Sequence, residues 1–373
     1  MDSVYKRKDM CCGCALCEAR CPQRAIRMSA DGEGFLYPVI DRERCVDCGV
    51  CLRLCPMRRK GNFKEEGEPR FFAATHRSEE VLKKSTSGGA FTALSDVLLE
   101  GGGSVCGALF DEKLRVVHRV ASSREGRDEM RLSKYVQSDM RGLYEGLREA
   151  LEAGGALFSG TPCQCAAVRS FFEGSPLSAR LFLCDVICHS VTSPLVWEEY
   201  KKLLEAERGG KLAEVFFRSK RRPWLRVNSN GGLAYRMEAS EEIFEDDRFY
   251  ELFIYMGTIS RPSCERCPFA DLRRPSDMTV ADCFGIEKYA PELYDSLGVS
   301  LIMSSSDKGE KMLAELSKSM NINERPKAEI MAEQQRLSAP GAFPPERAAF
   351  WETFRDEGLE RAIEKYARRG AES

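Results

Sequence analysis

Two stretches near the N-terminus repeat one cysteine spacing, Cys11-x2-Cys14-x2-Cys17-x3-Cys21-Pro22 and Cys45-x2-Cys48-x2-Cys51-x3-Cys55-Pro56. Three thiolates on a tight C-x2-C-x2-C loop reach three irons of a 4Fe–4S cube, and the fourth cysteine opens a segment that crosses to the other half. The spacing therefore predicts two clusters with an exchanged ligand. Cys11, Cys14, Cys17 and Cys55 hold one, and Cys45, Cys48, Cys51 and Cys21 hold the other. Structural zinc sites would instead show separated C-x2-C pairs. Cys12 falls outside the spacing and reads as a bystander. Such a unit moves single electrons, so the remaining three hundred or so residues must hold what it exchanges them with.

Three constellations in that remainder have residue types suited to chemistry. Ser85-Thr-Ser-Gly-Gly89 precedes an amphipathic run, where small residues let backbone N–H groups approach a phosphate; the same residues also cap helices for stability alone. Ser159-Gly-Thr-Pro-Cys-Gln164 reads as a strand–loop–helix junction with Pro162 in the first turn. The third is a cysteine set: Cys264-x2-Cys267-Pro268 is half a cluster motif, and Cys163 and Cys188 follow two strand candidates that could neighbour each other. These four either converge on a third cluster or are ordinary core cysteines, the default for Cys106, Cys165, Cys184 and Cys283. His76 and His118 have no partner pattern, while His189 follows Cys188. The basic run 218–222 reads as a solvated surface or a contact for an acidic ligand.

These residues need elements to place them. Ala25-Ile-Arg-Met and Phe35-Leu-Tyr-Pro-Val-Ile supply short strands between the cysteine runs. From Phe71 the pattern alternates strand and helix. A helix through Phe91, Leu94 and Leu98 stops at Gly101-Gly-Gly103, and Val105–Phe110 is a buried strand. Met140, Leu143, Tyr144, Leu147 and Leu151 share a helix face; Ala156-Leu-Phe158 and Leu181–Ile187 are strands. Val215-Phe-Phe-Arg and Leu233–Met237 suggest a hairpin-like insertion, and the stretch past Ser305 reads as charged and helical.

Composition narrows the class. Of 17 cysteines, nine lie in the first 55 residues, and no export signal is visible, which favours metal binding over disulfides. A net charge of −2 gives no global footprint for nucleic acid, and 43% hydrophobic with 31% charged residues is ordinary for a globular chain. No apolar run is long enough to span a bilayer. The expected setting is cytoplasmic.

Taken in order, the motifs resemble the β-subunit family of coenzyme F420-reducing hydrogenases and dehydrogenases, over roughly residues 70 to 300. Ser85-Thr-Ser-Gly-Gly is similar to its S-S-S-G-G element, and Leu132-Ser-Lys-Tyr-Val-Gln-Ser138 to its G-S-K-Y-V-Q-S element. Gly160-Thr-Pro-Cys-Gln164, Cys188–Trp197, Phe217-Arg-Ser-Lys220, Arg261–Cys267 and Asp282-Cys-Phe-Gly285 follow in register. Two positions depart: Ala281-Asp-Cys-Phe-Gly285 stands for G-D-x-W-G, and Leu132 for the glycine before Ser133. The resemblance implies an α/β mixed flavoprotein body behind a bacterial-type two-cluster 4Fe–4S ferredoxin domain of α+β type. It implies a third 4Fe–4S cluster on Cys163, Cys188, Cys264 and Cys267. It also implies FAD near Ser87, Gly88, Gly89, Ser133, Lys134, Tyr135, Gln137, Thr161 and Pro162. The divisions expected are 1–60 ferredoxin, 61–70 linker, 71–305 flavin and iron–sulfur body, and 306–373 helical tail. The activity implied is electron exchange between a hydride carrier, F420 or another, and a redox partner protein or ferredoxin. Rival readings are a non-enzymatic electron-transfer adaptor and a ferredoxin-dependent reductase of another organic substrate.

Overall fold

The computed structural model describes residues 4–59, 67–218, 233–255 and 257–367. In the N-terminal unit each cysteine loop passes through two left-handed residues at matching positions: Gly13 and Ala15 (φ 71° and 59°) in the first, Asp47 and Gly49 (φ 51° and 69°) in the second. Non-glycine residues hold that conformation only where their surroundings impose it. The matched pattern on different residue types shows that both loops curl alike, and each leads into a short helix, Leu16–Ala19 or Val50–Leu54. Between the loops, strands β1 (Ile26–Ala30) and β2 (Leu36–Ile40) form an antiparallel hairpin in register Ile26 to Ile40.

The body is built on strands β3 (Arg70–His76), β4 (Ser104–Phe110), β5 (Val116–Ala121), β6 (Ala156–Gly160) and β7 (Leu181–Val186). A three-stranded antiparallel sheet follows, β8 (Leu212–Phe216), β9 (Leu233–Met237) and β10 (Ile243–Asp246). Then come β11 (Met278–Asp282), β12 (Ser300–Ser304) and β13 (Met320–Arg325). The main sheet has the order β13-β3-β12-β11-β7-β6-β4-β5, with β11, β7, β6 and β4 parallel and the flanking pairs antiparallel. Side chains alternate across it with period two. Leu157, Phe182 and Cys184 pack on one face with Leu94 and Leu316, while Phe158, Leu181 and Leu183 pack on the other with Tyr144, Leu147 and Phe171.

Helices take the expected places. Leu143–Ala153 buries Leu143, Tyr144, Leu147, Ala150 and Leu151, and Ala90–Glu100 ends at Gly101. β8 and β9 pair as the hairpin reading required; residues 219–232, with most of the basic run, lie outside the described residues. The stretch past Ser305 corrects its expectation. It is not wholly helical, because β13 pairs with β3 at the sheet edge, and Phe350 and Trp351 join Trp197, Tyr200 and Phe217 in an aromatic core. Cys106, Cys165, Cys184 and Cys283 are fully buried, in keeping with their reading as core residues. Among the described residues no helix is long and apolar enough to cross a membrane.

Candidate functional site

The two N-terminal thiol groups form as spacing requires. Cys21, Cys45, Cys48 and Cys51 line one small space together. Cys11, Cys14, Cys17 and Cys55 influence one another as the other group: burial, then Cys11 and Cys55, pushes Cys17 well above the ordinary thiol range, and Cys17 and Cys55 help to raise Cys14. Among the described residues no three His, Cys, Asp or Glu side chains are grouped to hold a single metal ion. The second group instead surrounds a space, as the ligands of a four-iron cube do.

A third thiol group is assembled by the sheet. β6 and β7 are parallel neighbours, so their C-terminal ends emerge side by side. Cys163 sits in the first turn of helix Pro162–Phe171, which opens where β6 ends, and Cys188 lies just past β7. The helix start is fixed by Gln164, whose Oε1 accepts from the Thr161 N–H at 2.9 Å. Cys264 and Cys267 arrive on a distant loop that Arg274 ties to β7. Its guanidinium donates to Asp185 at 2.9 Å, to the Val186 carbonyl at 3.1 Å and to the Phe269 carbonyl at 2.8 Å. Both partners of this ion pair are buried. Cys163, Cys188, Cys264 and Cys267 then line one enclosed space. Burial and the facing thiols push Cys264 up to about 12 and Cys267 to about 11, so four thiolates coexist there only with a compensating cation.

Beside it lies a cavity of about 360 Å³, within the range of small-molecule pockets. Its floor is formed by the C-terminal ends of parallel strands, Ser159 and Gly160 of β6, Val186 of β7 and Val280–Asp282 of β11, where ligands sit in open α/β sheets. The Ser85–Thr92 segment forms another wall. Gly88 permits its close approach to the sheet, since a Cβ there would stand 2.4 Å from the Ala74 carbonyl and the Ser300 amide. Gly89, at φ 84°, starts helix Ala90–Glu100 toward the cavity. Backbone bridges Val136 to Thr192 and Thr192 to Ser260 lace the remaining walls together.

Six of the nine positions expected around a flavin line this cavity: Ser87, Gly89, Ser133, Lys134, Tyr135 and Thr161. Gly88 serves the loop's packing instead. Pro162 and Gln137 border the thiol space, and the Gln137 amide is engaged with the Cys12 carbonyl at 2.8 Å. The cavity also contains residues that the sequence barely signals. Lys134 reaches the cavity yet is enclosed by protein; burial lowers it to about 7, and its Nζ donates to the Arg131 carbonyl at 2.7 Å. His118, lowered to about 4 by burial, has Nδ1 bonded to the Ser138 hydroxyl at 2.8 Å and stacks on Phe158. Arg218, at the head of the basic run, is no surface residue but pairs with Asp282. Gln334 holds the Asp282 carbonyl from past the expected body boundary, at 2.6 Å. Arg218 and Asp282 were legible only as parts of the motifs Phe217-Arg-Ser-Lys220 and Asp282-Cys-Phe-Gly285; His118 and Gln334 had no signal.

Polar atoms in the cavity await a partner. The Thr86 hydroxyl and one Asp282 carboxylate oxygen are buried without a hydrogen bond. Buried polar groups are rarely left so, and a polar ligand such as a flavin fits them. The cavity and the third thiol group share a wall: Thr161, Gln164 and the stretch Cys188–Val191 line both.

Two family models match parts of the chain. Residues 10–58 match the family model of the 4Fe-4S dicluster domain, and residues 155–329 match that of the C terminus of the coenzyme F420 hydrogenase/dehydrogenase beta subunit. The chain thus carries a segment similar to the 4Fe-4S dicluster domain and one similar to the C terminus of the F420 hydrogenase/dehydrogenase β subunit. Among individual proteins, the B component of an ion-translocating oxidoreductase complex from Methanosarcina acetivorans is 44% identical over 48 residues, 13% of this chain. The chain spans only 16% of that relative. A chain from the xenon-derivatised F420-reducing NiFe hydrogenase complex of Methanosarcina barkeri aligns with TM-score 0.48 and 15% identity, over 81% of this chain and 92% of that one.

Proposed function

We propose that the protein is an iron–sulfur flavoprotein that exchanges electrons between a hydride carrier at FAD in the 360 Å³ cavity and a one-electron partner protein. The shared wall carries this reading: the same residues, Thr161, Gln164 and Cys188–Val191, border both the cavity and the third thiol group. A flavin bound there supplies the interchange between two-electron and one-electron chemistry. Ser87, Gly89, Ser133, Lys134, Tyr135 and Thr161 are proposed to hold it, with the unpartnered Thr86 hydroxyl and Asp282 oxygen as further contacts. The Arg218–Asp282 pair keeps charge fixed in the cavity lining. Cys163, Cys188, Cys264 and Cys267 are proposed to hold a third 4Fe–4S cluster. Cys12 and Cys14 of the first cysteine run border the body thiol space, and the second run includes the exposed Cys48, which suits an outlet to a partner.

The test is cofactor content of anaerobically purified protein. About twelve irons per chain, four in each of three clusters, with one FAD is the expected result. About eight irons and no flavin would overturn the reading and leave an electron-transfer adaptor. Addition of reduced F420 then tests the hydride carrier. Bleaching of the oxidised flavin supports it, and a flavin that stays oxidised turns the search to other organic substrates, with ferredoxin as donor.

A further inference from the structure

The first cysteine run contains one cysteine too many. Cys12 takes the place that Val46 takes in the second run, each directly after the first cysteine. The two positions differ sharply in surroundings: Val46 is 61% exposed, while Cys12 is 7% exposed and faces the body. Cys12, Cys14 and Cys163 line one enclosed space together. Cys14 belongs to the first N-terminal group and Cys163 to the body group, so one buried side chain borders members of two thiol groups.

The surroundings hold that junction firmly. Gln137 donates to the Cys12 carbonyl at 2.8 Å, Arg261 to the Cys11 carbonyl at 2.8 Å, and the Tyr144 hydroxyl to the Cys14 carbonyl at 2.7 Å. Arg261 also grips Gln137 at 2.8 Å. Gly13, between them, has no room for a Cβ, which would stand 2.7 Å from the Arg261 guanidinium and 2.9 Å from the Gln137 amide. Cys12 lines the same enclosed space as the four body thiols, which already number enough for one cluster.

Resting on the three-cluster reading above, we propose that Cys12 binds no iron but acts as a positioning residue between two clusters. Its S–H donates a hydrogen bond to the ligand sulfur of Cys163 or Cys14. A donor to a cluster sulfur stabilises the more negative, reduced state, because hydrogen bonds to the sulfurs are among the terms that set cluster potential. Cys12 thereby raises the potential of the clusters it touches and fixes their spacing.

The experiment is a mediated redox titration followed by electron paramagnetic resonance, on wild type, Cys12→Ala and Cys12→Ser, with iron measured on each. Wild type is assayed first: about eight irons there would remove the body cluster and overturn the three-cluster reading together with this inference. With about twelve irons in wild type, the expected result is full iron in Cys12→Ala and a shift to lower potential in at least one cluster. The serine hydroxyl, a donor of similar size, should return the potential toward wild type. Loss of about four irons in both variants would make Cys12 a ligand and overturn the inference alone. Unmoved potentials in Cys12→Ala would do the same, leaving Cys12 as packing.

Discussion

Replacing Arg261 by methionine keeps a long apolar stem and removes the guanidinium that fastens the N-terminal unit to the body. Three bonds disappear: to the Cys11 carbonyl at 2.8 Å, the Leu36 carbonyl at 2.9 Å and the Gln137 amide oxygen at 2.8 Å. The stacking of the guanidinium over Tyr37, 4.4 Å from the ring centre, goes with them. Hydrogen bonds to a charged donor contribute about 1.5–3 kcal/mol each and the stacked ring about 1 kcal/mol, so the two bonds that cross the junction and the ring contact amount to a gross loss of about 4–7 kcal/mol. Releasing a buried charge from its desolvation cost returns several kcal/mol, leaving a net weakening of about 3 kcal/mol. At about 1.4 kcal/mol per factor of ten, the junction should open about a hundredfold more often. Amide hydrogen exchange on the cluster-loaded protein reads this directly. Peptides covering residues 10–16 and 33–38 should exchange about a hundredfold faster, while those of β6 and β7 keep their rates. Equal acceleration everywhere would mean a general loss of stability. A change below about threefold would refute the fastening argument itself.

The buried Asp185–Arg274 pair should be equally exacting: Asp185→Asn leaves a guanidinium without its counter-charge and should cost about 3–5 kcal/mol in denaturant unfolding, with iron lost from the body site. An unchanged midpoint would argue against the pair as the tie of the Cys264 loop. Cys264→Ala should lose about four irons and keep the eight of the N-terminal unit, and a variant that retained all its iron would sink that assignment. Lys134, lowered to about 7 by burial, attracts an anionic ligand only when protonated, fully below pH 7 and progressively less above it. Flavin affinity should therefore fall as pH rises through 7, by up to about tenfold per unit, and Lys134→Met should flatten the profile. Identical profiles by flavin-release fluorescence would remove Lys134 from the flavin contacts.

Legibility followed locality. The two cysteine runs declare their ligand groups because every ligand is set by spacing of three to four residues and one crossing. The body group needed the pairing of β6 with β7, which the sequence only hinted at through cysteines following two strand candidates. It also needed Arg274 to reach Asp185, 89 positions away, which no periodicity announces. β13 gives a weak strand signal because Met320 and Ile322 are its only apolar residues, on an edge strand whose opposite face carries Asn321, Asn323 and Arg325. Gln137 was placed near a flavin by its motif, yet its amide is occupied at the N-terminal junction. His118, a lone histidine on β5, became interpretable only when Ser138 and Phe158 closed around it.

The clasp of Arg261, Gln137 and Tyr144 on the carbonyls of the first cysteine loop has a kinetic meaning. A carrier swinging on a tether spends time searching for its dock, and solvent drag slows that search. Here the cysteine loop is already seated against the body, so in the proposed scheme the interior hops depend on fixed separations and ignore the thickness of the medium. Sucrose or glycerol should slow only the meeting with an outside protein at the face around Cys48. Throughput then divides cleanly into an inner part insensitive to drag and an outer part governed by encounter.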